Sequence, residues 1–333
     1  MFQERLLTVV SNYRTAELTM AAVDAARREM QDIDGEIVVV DNNSGDGSFE
    51  KLQTEAARLG WLEGGRVRVF QSGRNGGFGA GNNFGAGIGL SNGARPDFVY
   101  ILNSDAQPGP GAIATLLDFM RDNPKTGLAG SYIHGPHLEW HCTCFRFPTI
   151  SSEFEGAARI GAISRLLSHK AVPVSLDDAR ERVDWLAGAS LMLRQDMLDE
   201  IGGFDEEFFL YFEDTELSHR AVKAGWVTSY VSDSKVAHIG SVSTQAKSWQ
   251  RVPVYWFDSR WNYFRKTNGV GYAALATAAR VFGTLIWRIK RLLSGHPRVD
   301  PPNFLRDLIF HAFGLSIGRS PKPNTEPVAV EIK

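Results

Sequence analysis

The chain has 333 residues, 43% hydrophobic and 22% charged, a composition that builds one large globular domain with an appendage, or two domains, and excludes a disordered protein. Its formal net charge of -2 gives no global attraction to nucleic acid, so no nucleic-acid partner is expected and an anionic ligand must be held by local features. The N-terminus lacks a signal-peptide pattern, no run of eighteen uncharged apolar residues occurs, and the two cysteines, Cys142 and Cys144, stand too close for an ordinary disulfide; a cytoplasmic location without a spanning segment is the expectation.

The first third alternates apolar β-rich runs with helix-period segments. Strands are predicted at 6–10, 37–40, 67–70 and 98–102, followed by helices at about 15–30, 48–59, 78–90 and 111–121. Successive βαβ units of this kind form a parallel, doubly wound sheet whose ligands bind beyond the carboxyl ends of the strands. That edge collects Ser11, Asn12 and Tyr13, then Asp41, Asn42 and Asn43, then residues 73–83 and 103–105. From about 125 to 185 the rhythm breaks into Gly, Pro, His and Ser with a helical-looking stretch near 152–168, as in a lid or acceptor-side excursion. Here His134, His137, His141, Cys142 and Cys144 admit a zinc site, although their spacing matches no standard zinc pattern and equally describes a polar loop. A second ordered block runs from 183 through a strand at 191–193, a helix near 195–201, an acidic segment, and strand-like runs at 227–231 and 235–238.

The residue types at the sheet edge carry the chemistry. Asp41 ends a buried-looking strand and opens the turn Asn42-Asn43-Ser44-Gly45-Asp46-Gly47-Ser48; its carboxylate accepts from a ribose or base, or serves the turn alone. The run Gly73-Arg74-Asn75-Gly76-Gly77-Phe78-Gly79-Ala80-Gly81-Asn82-Asn83 lets backbone amides approach a ligand, with Arg74 to pair with phosphate. It contains neither Gly-x-Gly-x-x-Gly nor a Walker loop, which argues against a dehydrogenase and a P-loop enzyme. In Asn103-Ser104-Asp105 the aspartate is a hard oxygen ligand of the type magnesium or manganese prefers, and His238 is either a further ligand or a hydrogen-bonded structural residue. Glu213, Asp214 and Glu216 follow a run of aromatic and apolar residues. A carboxylate pair held against rings has the perturbed proton affinity of a general base; the alternative is that Asp214 caps a helix with Glu216 in its first turn.

Taken in order, Val39-Val40-Asp41-Asn42-Asn43-Ser44, Asn75-Gly76-Gly77-Phe78-Gly79-Ala80-Gly81-Asn82, Leu102-Asn103-Ser104-Asp105, Gly188-Ala189-Ser190, Gly203-Phe204-Asp205-Glu206, Phe212-Glu213-Asp214, Lys223-Ala224-Gly225-Trp226 and His238-Ile239-Gly240 resemble the inverting glycosyltransferases of family 2, bacterial rhamnosyltransferases above all. The resemblance spans residues 5 to 270 or so. It implies an α/β, GT-A type, doubly wound and mostly parallel sheet with flanking helices and a C-terminal helical extension. It implies that Asp41 contacts a pyrimidine base and that the loop from Arg74 through Asn75, Gly77 and Phe78 to Asn82 lines a nucleotide-sugar pocket, with Ser11 and Tyr13 on the same edge. Asn103, Ser104 and Asp105 are implied at the diphosphate, Asp105 and His238 on a divalent cation (Mg2+ or Mn2+), and Trp185, Gly188 and Ala189 beside the donor sugar or acceptor. Asp214 is implied as the base and Glu213 as its neighbour. Many relatives carry Asp-x-Asp where this chain has Asn103-Ser104-Asp105, and the rhamnosyltransferase-like branch commonly has Asn-Pro-Asp.

The reaction so implied moves rhamnose from dTDP-rhamnose, with inversion, to a hydroxyl of a surface-polysaccharide or polyprenyl-linked acceptor. A UDP-hexose donor, a noncatalytic nucleotide-sugar-binding scaffold subunit and a nucleotidyltransferase are the alternatives. The expected organisation is a GT-A domain over 1–268, with a nucleotide-binding half at 1–125 and an acceptor and catalytic half at 126–268, then amphipathic helices over 269–320 and a disordered tail over 321–333. Leu275, Ala279, Phe282, Ile286, Ile289 and Leu293 recur at steps of three and four with Arg280, Arg288 and Arg291 opposite, so this helix either packs on its own domain or lies on an anionic bilayer at the inner face of the cell membrane. Arg260, Arg265 and Lys266, interleaved with Trp261, Tyr263 and Phe264, face an acceptor phosphate or form a solvated helix face.

Overall fold

The computed structural model describes residues 4–135, 137–161, 171–179, 183–240, 249–295 and 300–315. Strands β1 (Leu6–Asn12), β2 (Gly35–Asp41), β3 (Val67–Gln71) and β4 (Phe98–Asn103) alternate with helices α1 (Ala16–Glu29), α2 (Ser48–Arg58) and α3 (Gly77–Ile88). Then come β5 (Ala106–Pro108), α4 (Ala112–Asp122), β6 (Thr126–His134), β7 (Cys144–Phe145), α5 (Ile150–Ala158), α6 (Leu176–Ala179), β8 (Trp185–Leu186) and β9 (Ser190–Arg194). The remainder is α7 (Gln195–Ile201), α8 (Glu213–Lys223), β10 (Val227–His238), α9 (Val254–Asn268), α10 (Val270–Ser294) and α11 (Phe304–Ala312).

Eight strands form one sheet in the order β3-β2-β1-β4-β9-β6-β10-β5. The pairs β1–β2, β2–β3, β1–β4 and β6–β10 are parallel, whereas β9 enters antiparallel between β4 and β6, and β5 pairs antiparallel with β10. The central strands are apolar without alternation because both faces are covered. Leu6, Val10, Ile37 and Val39 pack toward α1, α2 and α4, and Leu7, Val9, Val38 and Val40 pack toward α3, α7 and α8. The two predicted strands at 227–231 and 235–238 are one strand, irregular between Val231 and Lys235.

A chain of buried hydroxyls fastens the antiparallel β9. Tyr100 Oη lies 2.7 Å from Ser190 Oγ, Ser190 2.7 Å from Ser131, and Ser131 2.7 Å from Ser234, which donates to the Ala112 carbonyl at 2.9 Å. The carbonyl only accepts, so every proton in the chain points from Tyr100 toward Ala112. These bonds tie β4, β9, β6, β10 and α4 together at the centre of the sheet.

The C-terminal helices attach through small residues and a buried ion cluster. Gly283 of α10 faces α5 so closely that a Cβ there would come within 2.7 Å of the Phe154 carbonyl. Arg260 of α9, only 2% exposed, makes two bonds to Glu153 Oε2 at 3.0 and 2.6 Å, and Arg280 of α10 adds a third at 3.2 Å. Burial holds a carboxyl back from ionising, but two guanidiniums around Glu153 keep it below the usual range. This corrects the expectation that Arg260, Arg265 and Lys266 face a phosphate or solvent: Arg265 pairs with Glu207 at 3.1 Å, and Lys266 with Asp205 and Glu207.

Of the predicted helix near 152–168, residues 150–158 form α5, and 162–168 fall outside the described residues, as does the tail beyond 315. No zinc site is present among the described residues. Cys144 is buried, and the Cys142 thiol donates to the carbonyls of Cys144 and Val174 at 3.5 and 3.7 Å. Helix α10 is long and apolar enough, by length and composition, to cross a membrane, a property that the absence of an uninterrupted apolar run conceals because cations punctuate the helix.

Candidate active site

Register brings the predicted edge together. Asn12 stands opposite Asp41, Asp41 opposite Gln71, and Ser11 opposite Asn103, so β1 to β4 end level with one another. At this edge Asn12, fully buried, donates to Asp41 Oδ1 at 2.7 Å and to Ser44 Oγ at 3.2 Å, and its carbonyl oxygen accepts from Thr19 Oγ1 at 2.8 Å and from the Thr15 amide at 3.2 Å. Thr15 Oγ1 in turn lies 3.1 Å from Ser104 Oγ. Asp41 also accepts from the Ser44 hydroxyl at 2.5 Å and the Ser44 amide at 3.0 Å. Asp41 is therefore a buried acceptor that shapes its loop, and Asn12, placed at this edge by the sequence without a role of its own, links it to the Asn103-Ser104-Asp105 turn. The signal that finds Asn12 is strand-end register, which needs the pairing of strands.

The glycine-rich run starts α3 beside this network. Gly77 has φ +88°, and a Cβ on it would come 1.6 Å from the Phe209 carbonyl, which accepts from the Phe78 amide at 3.1 Å. Gly81 lies against Ser11 and Asn42, and the Asn42 amide donates to the Gly77 carbonyl at 2.9 Å. Side chains at these glycines would lift the helix off β1 and β2. Asn75 accepts from the Gly77 amide at 3.0 Å; Asn82 donates to the Phe78 carbonyl at 3.0 Å, and its Oδ1 is buried with no partner among the described residues. Arg74, exposed, is ion-paired with Glu206, so a phosphate would compete with that carboxylate. Tyr13 lies half-buried with the Arg14 guanidinium 5.2 Å over its ring.

His238 Nε2 lies 3.0 Å from Asp105 Oδ1 and 3.4 Å from Asn103 Nδ2, joining residues 133 apart in the chain. A hard carboxylate oxygen and an imidazole nitrogen aimed at one spot suit a divalent cation in place of a shared proton. No group of three His, Cys, Asp or Glu side chains is placed to hold a metal among the described residues. Two protein ligands with the rest from phosphate and water is the usual arrangement at diphosphate sites, so the residues fit such an ion.

Helix α8 begins at Glu213 behind Tyr211 and Phe212, both at φ +68°, a conformation rare for aromatic residues. Phe212 occupies the N-cap position and no side chain caps the helix, so Asp214 is not its cap. Asp214 remains partly exposed; one oxygen accepts from the Thr215 amide at 2.8 Å and the other from the Gly188 amide at 3.3 Å. Glu213 is buried, 4% exposed, and its Oε2 has no partner among the described residues. Burial raises Asp214 to about 6, and burial together with the charge of Asp214 holds Glu213 well above the usual carboxylate range. Glu216 pairs with Arg220 at 2.7 Å and is structural.

Gly188 and Ala189 join the two halves of the site. The Gly188 amide holds Asp214, the Ala189 carbonyl accepts from the Asn103 amide at 3.0 Å, and the Phe78 ring occupies the space where a Gly188 side chain would be. Trp185 stacks on Phe145 at 4.2 Å and donates to the Arg146 carbonyl at 3.0 Å, away from these contacts. A cleft of about 390 Å³ lies beside the site, lined by Tyr132, His134, Leu138, Leu176 and residues of the β10 irregularity, but neither Asp105 nor Asp214 lines it.

A mixed, mostly parallel sheet with polar loops gathered at one carboxyl edge defines the class as a GT-A type nucleotide-sugar fold. The model of glycosyl transferase family 2 matches residues 8–151, and that of glycosyl transferase family group 2 matches residues 98–317, more than half of the chain. The chain belongs to the family 2 glycosyltransferases. It is similar to the N-acetylglucosaminyl-diphospho-decaprenol L-rhamnosyltransferase of Mycobacterium tuberculosis, 34% identical over 149 residues, which cover 44% of this chain and 48% of that protein. The chain thus spans about half the length of the curated relatives it matches. The fold is similar to that of a mannosyltransferase from Pyrobaculum calidifontis in complex with GDP-Man and Mn2+, with TM-score 0.55 and 15% identity over 94% of this chain and 81% of the other. It is equally similar to S. aureus TarS in complex with UDP-GlcNAc, with TM-score 0.55 and 15% identity over 93% and 80% of the two chains.

Proposed function

We propose that this protein is an inverting, cation-assisted glycosyltransferase that moves rhamnose from dTDP-rhamnose to a hydroxyl of a lipid-linked or surface-glycan acceptor at a membrane surface. The observation that carries the reading is the meeting of Asp214 with the Asn103–Asp105 turn and His238 through Gly188 and Ala189. The rhamnosyl donor and the lipid-linked acceptor are favoured by the activity that names the mycobacterial relative.

Displacing a nucleoside diphosphate from a sugar builds negative charge on the leaving phosphate, and a divalent cation held by Asp105 and His238 would neutralise it. The remaining work falls to this chain's own groups. The Asn12–Asp41–Ser44 network fixes the loop that borders the base, and the positive end of the α3 dipole lies at the same edge, where it favours phosphate. Asp214 removes the acceptor proton as the new bond forms; attack from the face opposite the diphosphate inverts the anomeric carbon in one step. Glu213, buried beside it with its carboxyl held well above the usual range, leaves Asp214 as the more readily ionised member of the pair.

The test is transfer from a panel of dTDP- and UDP-sugars by wild type, Asp214→Asn and Asp105→Ala. Loss of about 10²- to 10⁴-fold in kcat for Asp214→Asn is expected from removal of a general base, and wild-type rates in both variants would sink the assignments. A UDP-hexose donor is the second reading, favoured by the fold shared with a protein that binds UDP-GlcNAc; the same panel separates the two.

A further inference from the structure

Helix α10 is amphipathic in the reverse sense to a surface helix of a water-soluble protein. Its inner face consists of Ala273, Ala276, Thr277, Gly283 and Thr284, all buried, together with Arg280 in its ion pair with Glu153. Its outer face carries Leu275, Phe282 and Ile289, each 60% exposed, with Leu285, Leu292 at 78% and Leu293 at 84%. The exposed positions 271, 275, 278, 282, 285, 289 and 292 follow one another at steps of three and four, with 274 and 293 beside them, and none of these is charged. Arg280, predicted to lie opposite the apolar stripe, does so, but it is that side which packs on the protein. Nothing among the described residues covers the stripe, although a soluble helix normally buries such residues and exposes charge.

We propose that this outer face of α10 docks the protein on an anionic lipid bilayer, the helix lying in the plane of the interface. The inference deepens the reading of a lipid-linked acceptor and rests on it only for its purpose, since the face stands on its own geometry. Charge selects the occupant: α10 contains Arg280, Arg288, Lys290 and Arg291 and no acidic residue, in a chain whose net charge is -2. Arg288 flanks the stripe half-buried, placed for its head to reach lipid phosphates while its stem lies on apolar surface, and on the other flank Lys290 donates to the Arg159 carbonyl at 3.2 Å. A second copy would bring the same cations and no carboxylate to meet them. The helix lies on the bilayer instead of crossing it, because α5 holds its inner face and Glu153 binds Arg280; crossing would expose that ion pair to hydrocarbon.

The full chain is sedimented with vesicles of phosphatidylcholine and of phosphatidylcholine mixed with phosphatidylglycerol. Wild type is expected to pellet with the anionic vesicles, and the triple variant Phe282→Glu, Ile289→Glu, Leu293→Glu to lose at least about tenfold in partitioning. The milder pair Leu292→Ser, Leu293→Ser is expected to show a smaller loss, and Arg288→Gln to weaken the preference for anionic vesicles. Circular dichroism and the thermal shift caused by a nucleotide sugar with Mn2+ should be unchanged in all three, which separates this surface from the transferase site. Wild type that stays in the supernatant overturns the proposal, as does a wild-type dimer that the triple variant converts to monomer without vesicle binding, since a second copy would then be the occupant. Vesicle binding without any response to nucleotide sugars would overturn the transferase reading and leave the docking face standing.

Discussion

Asp214 and Glu213 are adjacent in sequence and opposite in circumstance, and the difference is measurable in two ways. The base must be ionised to accept a proton, so with Asp214 raised to about 6, kcat/KM is expected to rise with pH through an acidic limb near that value. The limb should persist in Glu213→Gln and be absent from the residual rate of Asp214→Asn; a pH profile of all three checks it. Glu213 is raised in the folded state, so the folded protein binds a proton the unfolded chain releases, and stability is fully present below the unfolded value near 4.5 and falls as pH rises through the folded one. Glu213→Gln removes that loss. Its melting temperature should match wild type near pH 4.5 and exceed it increasingly above, with kcat within about tenfold of wild type because the amide keeps the shape of the carboxyl and Asp214 is untouched. Residue type and chain position single out Asp214, Asp105 and His238 as candidates in the sequence alone, and the fold brings His238 within 3.0 Å of Asp105. The role of Asn12 at that edge is not legible in the sequence, because it comes from standing opposite Asp41 in a neighbouring strand, and the pairing of Arg74 with Glu206 joins residues 132 apart.

Among the elements, the βαβ rhythm of the first third is readable almost to the residue, because strands buried on both faces and helices with one apolar side leave different periods in the sequence. The antiparallel entry of β9 is not, since a run such as Ser190-Leu191-Met192-Leu193 carries no sign of its direction; the hydroxyl chain from Tyr100 to Ala112 shows what accepts it there. The facing of α10 is also illegible, because periodicity identifies two sides and does not say which one meets the protein. Two measurements probe how the elements are fastened. Glu153→Ala leaves Arg260 and Arg280 buried without their carboxylate and should lower stability by about 3–5 kcal/mol in denaturant titration. Gly77→Ala combines a strained φ with a collision against the Phe209 carbonyl; it should weaken donor binding measured by calorimetry as well as stability, because that contact orders the start of α3.

For the whole molecule, the proposed reading makes the sheet edge a seam between the part that meets the nucleotide and the part that carries the base, so a ligand across it should stabilise the fold by linkage. A nucleoside diphosphate with Mn2+ at about a hundred times its dissociation constant should add about 2.7 kcal/mol, read as a rise in melting temperature. A chelator should remove most of that rise, and Asp105→Ala should show little of it even with metal present. At the centre of the seam, the Gly188 amide grips the base while the Ala189 carbonyl grips the strand end beside Asp105, two residues of backbone apart. Covalent bond lengths and planar amides, stiffer than any packed side chain, therefore meter the gap between Asp214 and the Asn103–Asp105 turn, which on the proposed mechanism is the gap between where a proton is taken and where a phosphate departs. An enzyme gauged in this way could change its sugar by reshaping the surrounding loops while the span between its two chemical events stayed the same.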